Sequence, residues 1–271
     1  MPVEILQNIF AHITPTRVLQ FRRLCRAINS TLCAPYFAVL NLSRHIIHQN
    51  TAGASKNSYG PTDFDRAWCH WPLTYQAYYV KTCLVHVESI TWYSKNMAGC
   101  SIAESIGGLH CLTFLSLSNN KLRGRIPASL GSVQNLEYCY LDGNSLDGEI
   151  PNEICRLEKL RDLQISNNCF EGAIPDGIGQ LVSLRHLDLS RNKLSGKIPA
   201  SIGELVLLQM VNLGYNRLEG EIPENVGKLT DLKEMNFEKN QLFGIIPKSL
   251  EQLTRLESLV LRGNGFYEAP S

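Results

Sequence analysis

Gly124-Arg125-Ile126-Pro127-Ala128-Ser129-Leu130-Gly131 is a phrase that this chain repeats. Its Ile-Pro pair returns at Ile150-Pro151, Ile174-Pro175, Ile198-Pro199, Ile222-Pro223 and Ile246-Pro247, always in steps of 24 residues. An asparagine keeps the same step at Asn120, Asn144, Asn168, Asn192, Asn216, Asn240 and Asn264. Two markers in one phase over this length identify a repeat protein, and a period in the twenties with a leucine pattern predicts a solenoid.

Counting back from each Asn, apolar residues fall at positions 11, 8, 5 and 3 before it. They are Leu109, Leu112, Leu115 and Leu117 in one repeat, Leu181, Leu184, Leu187 and Leu189 in another, and Leu229, Leu232, Met235 and Phe237 in a third. The last two of each set alternate with polar residues, the spacing of a strand with one buried face. A single strand of this kind cannot cover its apolar face, but stacked neighbours can, so the core runs along the solenoid axis. The Asn side chain carries donor and acceptor. At the corner leaving the strand it is expected to satisfy turn backbone of its own and the next coil. The Gly before Ile-Pro admits backbone angles other residues resist. The Pro fixes φ and removes a donor, which places it outside the main ladder.

These residues resemble the plant-type leucine-rich repeat, LxxLxxLxLxxNxLxGxIPxxIGxL, most closely along Leu181–Leu205, and the resemblance runs over roughly residues 84–268. It implies an α/β repeat solenoid: a right-handed superhelix with a parallel concave sheet and a second short sheet near the Ile-Pro segments. Residues 87–109 read as a degenerate first repeat, with Ile102 placed 24 before Ile126 and one residue inserted at the strand residues Ile90 and Trp92. Seven better repeats follow.

The first 40 residues read differently. Ile5, Leu6, Ile9, Phe10 and Ile13 recur at helical spacing, Thr14-Pro15-Thr16 breaks the run, and Val18, Leu19, Phe21, Leu24, Cys25 and Ile28 give a second apolar set. The segment resembles an F-box through Pro2, Glu4, Ile5, Leu6, Ile9, Phe10, Leu19, Arg22, Leu24, Cys25, Arg26, Pro35 and Phe37. That resemblance implies a small all-helical unit binding a Skp-family adaptor of a cullin ubiquitin ligase through Pro2, Ile5, Leu6, Ile9, Phe10, Leu19, Leu24 and Cys25. A helical unit this small leaves an apolar face that seeks a partner. The alternative is a cap over the first repeat. Residues 41–83 divide into a polar loop and an aromatic stretch with Trp68, Trp71, Tyr75, Tyr78 and Tyr79, expected to close the open end of the solenoid. The domain expectation is therefore 1–40, 41–83 and 84–271.

The chain has 271 residues and a formal net charge of +1. Residues 1–50 hold five Lys/Arg against one acid, and residues 101–271 hold 17 basic against 21 acidic residues. Neither balance argues for nucleic acid. No stretch approaches 18 apolar residues, so no membrane span is expected. The start lacks a signal-peptide pattern. Nine cysteines include no CxxC pair, and Asn-x-Ser/Thr occurs only at Asn29 and Asn41. Together these favour a reduced, intracellular chain, or a secreted one if a leader has been removed. In that second case Cys69 and Cys83 are candidates to pair, as in the Cys-bearing cap that precedes plant extracellular repeats.

No catalytic pattern is present: no GxGxxG, no Gly-x-Ser-x-Gly, and only a weak His45-x-x-His48. No cofactor or metal is expected, and no enzyme activity. Asp162 and Asp188, on neighbouring strands, are the nearest approach to an acid pair. The binding surface is better specified, because residues between core positions point out of the concave face. They are Phe114, Ser116 and Ser118; Tyr138, Tyr140 and Asp142; Asp162, Gln164 and Ser166; His186, Asp188 and Arg191; Met210, Asn212 and Tyr215; and Glu234, Asn236 and Glu238. Strands about 4.8 Å apart make this a platform roughly 30 Å long, suited to a protein or peptide. Its aromatics and acids predict a partner with basic and apolar groups. Two functions follow: a substrate-recruiting subunit of a ubiquitin ligase, or a recognition or scaffold module such as a secreted inhibitor or receptor ectodomain.

Overall fold

The computed structural model describes residues 76–77, 80–84, 86–94 and 97–267. The F-box-like segment, the loop and most of the aromatic stretch lie outside these residues, as do Cys69 and the Cys83 side chain.

The described chain winds as stacked coils carrying two parallel sheets. Eight three-residue strands form the first: Ser89–Thr91, Phe114–Ser116, Tyr138–Tyr140, Asp162–Gln164, His186–Asp188, Met210–Asn212, Glu234–Asn236 and Ser258–Val260. Each pairs with the strand one coil away, so Leu115 lies opposite Cys139, Cys139 opposite Leu163 and Leu163 opposite Leu187. The step is 24 residues except at the start, where Ile90 faces Leu115. That longer step is the insertion read from the sequence. The second sheet has seven strands of two to five residues, from Arg123–Gly124 to Gly265–Tyr267, and all but the last lie just before an Ile-Pro pair. The 3₁₀ turn of a coil follows its Pro, as Ala200–Glu204 follows Pro199 (φ −67°), except in the first, where Glu104–Gly108 follows Ala103. Proline thus sits outside both ladders, where a missing N–H costs nothing.

The core is one continuous column. Leu181, Leu184, Leu187 and Leu189 are all essentially inaccessible, as are their equivalents in neighbouring coils. Val80 and Leu84, in a π-helical turn over Val80–Leu84, are buried and cover the first coil. At the other end Leu259 is 43% exposed where its counterparts are buried.

The asparagines bind the coils to one another. Asn144 Nδ2 donates to Leu141 O and Asp142 O of its own coil and to Leu117 O of the coil before it. Its Oδ1 accepts from the Leu122 and Asn120 amides, also of the preceding coil. Asn168, Asn192, Asn216, Asn240 and Asn264 repeat the pattern. The bridge therefore runs backward, to the preceding coil and not the next. The chain turns through a left-handed residue immediately before each of these asparagines, and that turn aims the side chain at the coil already laid down. Non-glycine residues hold this conformation at Asn119, Asn167, Arg191, Tyr215 and Lys239.

Cys100 is buried and disulfide-bonded. Cys111, Cys139, Cys155 and Cys169 are free thiols. Burial, with the nearby Asp162 charge, pushes the Cys139 thiol up to about 12. Burial raises Cys155 to about 11, a backbone hydrogen bond opposing it only in part. Thiolate is the reactive form. Native iodoacetamide labelling at pH 8, read by mass spectrometry, should therefore modify exposed Cys111 within minutes and leave Cys139 and Cys155 unmodified until denaturant is added. Rapid native labelling of Cys139 would contradict this packing.

Candidate functional site

The period places like positions of successive coils side by side, so the outward face of the first sheet, expected from the sequence to be concave, is a set of columns. Phe114 and Tyr138 are paired in one column, and Tyr140 lies in the next. Their rings touch. Phe114 lies 5.9 Å from Tyr138 and 5.4 Å from Tyr140, the latter edge-on at 79°, and the two tyrosine rings are 6.4 Å apart. Each ring is half-buried, leaving a joined aromatic platform facing solvent.

Beside it Asp162 and Asp188, the nearest approach to an acid pair in the sequence, do not face each other. Asp162 lies opposite His186, and Asp188 lies opposite Gln164. Asp162 is only 7% exposed and accepts hydrogen bonds from Tyr140 Oη at 3.1 Å and Gln164 Nε2 at 3.2 Å. His186 Nδ1 approaches the same carboxylate at 3.2 Å. It is thus a structural anchor joining three coils. Burial, then the charge and hydrogen bond of Asp162, pushes the Tyr140 phenol well above its usual range, so it stays protonated.

Other singled-out residues turn inward to the backbone. Asp188 Oδ1 accepts from the Ser190 amide, Asn212 Oδ1 from the Gly214 amide and Asn236 Oδ1 from the Glu238 amide. Each of these side chains fixes the turn that leaves its own strand. Ser116 and Ser118 are buried, and Ser118 Oγ donates to Asp142 at 2.5 Å. Met210 is half-buried and Glu234 is exposed.

A second polar group lies along the exit edge of the later strands. The Arg191 guanidinium stacks 4.4 Å from the Tyr215 ring centre. Arg262 Nε donates to Glu238 at 2.6 Å. That hydrogen bond outweighs the effect of burial and, with the Arg262 charge and contacts from Asn236 and Tyr215, holds the Glu238 carboxyl below the usual range. A carboxyl lowered on folding adds stability above its unfolded value of about 4.3, and that stability is lost as pH falls through the lower folded value. In Arg262→Met, a carbon-13 titration of Glu238 should move upward toward the ordinary range. An unchanged midpoint would remove Arg262 as the cause.

Arg161 and Arg185 were not singled out by the sequence reading. They immediately precede the strands Asp162–Gln164 and His186–Asp188, and with Tyr138, Asp162 and His186 they line a depression beside the aromatic platform. The signal for them was their 24-residue separation on the rim, outside the two-residue alternation used to select the face. Among the described residues, no group of three His, Cys, Asp or Glu side chains is placed to hold a metal ion. No described helix is long and apolar enough to cross a membrane.

Comparison with known proteins agrees with this architecture. Residues 167–265 match the family described as a leucine-rich repeat region, and residues 111–133 and 135–157 match the leucine-rich repeat itself. No curated protein matches the chain in sequence. Among solved structures, the chain is similar to the plant peptide hormone receptor RGFR1 in complex with RGF2. The identity is 33%, the TM-score 0.66, and the match covers 68% of this chain and 29% of the receptor. It is similar to the Arabidopsis receptor kinase HAESA in complex with the peptide hormone IDA and the co-receptor SERK1, at 32% identity and TM-score 0.62, over 66% of this chain and 30% of that one. A plant ice-binding protein is similar at 29% identity and TM-score 0.60, over 65% of this chain and 57% of its own. The chain spans about a third or less of the length of the two receptors. From the repeat matches, which together take in more than half of the chain, and from the stacked parallel sheets, the chain belongs to the leucine-rich-repeat proteins, with repeats of the plant receptor-ectodomain type.

Proposed function

We propose that the chain is a non-enzymatic recognition module that takes a peptide or protein segment on its concave face, and that it works in an oxidising compartment. The observation that carries this is the Phe114–Tyr138–Tyr140 platform beside the depression lined by Arg161 and Arg185. Aromatic rings in contact and half in solvent are the usual anchors of an interface. Two supports are independent of it. The similar receptors were solved holding peptide hormones. Cys100 is disulfide-bonded, and disulfides persist where the environment is oxidising.

The test pans the full chain against a displayed random-dodecapeptide library. Enriched peptides should lose about tenfold or more in binding to the Tyr138→Ala/Tyr140→Ala variant, a size typical of anchor truncation. Peptides that bind both proteins equally would refute the concave reading, provided circular dichroism shows the variant folded.

A second reading rests on the F-box-like residues Pro2, Ile5, Leu6, Ile9, Phe10, Leu19, Leu24 and Cys25. Here residues 1–40 hold a Skp-family adaptor while the repeats recruit a target, raising its effective concentration at the ligase. Capture of the full chain by a purified adaptor, abolished by Leu6→Asp or Ile9→Asp, supports this reading. No capture removes it. The receptor-like neighbours and the disulfide favour the first reading.

A further inference from the structure

The partner's charge can be read from how the concave side chains are already engaged. On sequence alone, the acids of the face point to a basic partner. Near the aromatic platform those acids are occupied. Asp162 is buried under bonds from Tyr140 and Gln164 and the contact with His186. Asp142 accepts from Ser118, and Asp188 takes the Ser190 amide. Asp142 and Asp188 also sit at the exit side of their strands. The cations lie at the entry side. Arg161 and Arg185 immediately precede their strands and are exposed. Arg161 meets Glu137 at 3.2 Å, with the two side chains 48% and 31% exposed, a pairing too solvated to cancel its charge for an incoming ligand. The His186 side chain, 40% exposed, adds a third group that is cationic when protonated.

The face is therefore polarised across its width, and its depression is lined by Tyr138, two guanidinium groups, an imidazole and the Asp162 carboxylate, the last only 7% exposed and already hydrogen-bonded. We infer that the partner is an extended peptide segment that lays an apolar or aromatic side chain on Tyr138 and Tyr140 and sets an adjacent carboxylate between Arg161 and Arg185. Arg161 and Arg185 lead into paired strands about one strand spacing apart, and two long, exposed arginine side chains at that separation can be drawn onto a single carboxylate. The rings supply buried area and the arginines fix the register of the bound segment. This rests on the concave reading above and reverses the sign of charge that the acid count suggests.

The test uses the full chain and two displayed sublibraries, one fixing a tryptophan beside glutamates and the other a tryptophan beside lysines. The glutamate set should be enriched, and its binding should fall about fivefold or more in Arg161→Glu/Arg185→Glu, with a smaller loss at high salt. Arg161→Gln/Arg185→Gln, which keeps size and polarity, should give a smaller loss in the same direction. Preferential enrichment of the lysine set, dependent on Tyr138 and Tyr140, would overturn the inference while leaving the concave reading intact. Enrichment of neither set through the tyrosines would overturn both. Equal binding of the glutamate set to the folded arginine variants would also overturn the inference.

Discussion

Asn168→Ala is expected to lower the unfolding free energy by about 2–4 kcal/mol, because it removes four hydrogen bonds at once and takes the acceptor from the buried Leu146 amide, while Leu141 O, Ile165 O and Ser166 O keep their bonds from Asn144, Asn192 and the Gly143 amide. Asn168 Nδ2 donates to Leu141 O, Ile165 O and Ser166 O, and its Oδ1 accepts from the Leu146 amide. The residue is 9% exposed, so water replaces these bonds poorly. The position matters as much as the count. Each coil in a solenoid touches only its neighbours, so a weak joint in the middle divides the array. Urea denaturation should therefore show a lower midpoint and a broader, less cooperative transition. Asn264→Ala, in the last described coil, should cost less and leave the transition sharp. Equal costs at the two positions would mean that the bridge does not couple coils.

Gly203→Val is the second large effect, with an expected cost of about 2–4 kcal/mol. A Cβ at Gly203 would stand 2.2 Å from the Asn225 carbonyl oxygen of the next coil. That atom is backbone, so the coils must separate to admit it. The glycine of Ile-Gly is thus a spacer between 3₁₀ turns. The glycine before Ile-Pro acts by another means. Gly196 holds φ +73°, and a Cβ there would meet only Ala173 Cβ at 3.5 Å. Gly196→Ala should cost about 1 kcal/mol, from left-handed backbone alone. Thermal unfolding of the two variants separates the mechanisms. A Gly203 variant as mild as the Gly196 one would contradict the close approach of the turns.

Much of the fold was legible because the period acts as a ruler. The 24-residue step gave the register, the core columns and, through Ile90 and Trp92, the first pairing one residue longer. The resemblance supplied the second sheet. Three features were not legible. The Asn bridge was expected to reach the next coil, and its direction depends on the left-handed residue before Asn, which at Arg191, Tyr215 or Lys239 has no glycine to announce it. Asp162 was expected on an exposed face, but alternation tells which face a residue occupies and not which neighbours close over it. Tyr140, Gln164 and His186 bury it. Arg161 and Arg185 were missed because a strand pattern stops at the strand, while this site extends one residue onto its rim. The expectation of a reduced chain meets a disulfide at Cys100, and odd cysteine counts carry no information on which of the cysteines pair.

Whether the concave sheet is the binding face is decided by hydrogen–deuterium exchange of the full chain with and without a library-selected peptide. Slowed exchange is expected along Phe114–Ser116, Tyr138–Tyr140, Asp162–Gln164 and His186–Asp188, with little change in the 3₁₀ turns after the Ile-Pro pairs. Slowed exchange confined to those turns or to the second sheet, from Arg123–Gly124 to Gly265–Tyr267, would contradict it.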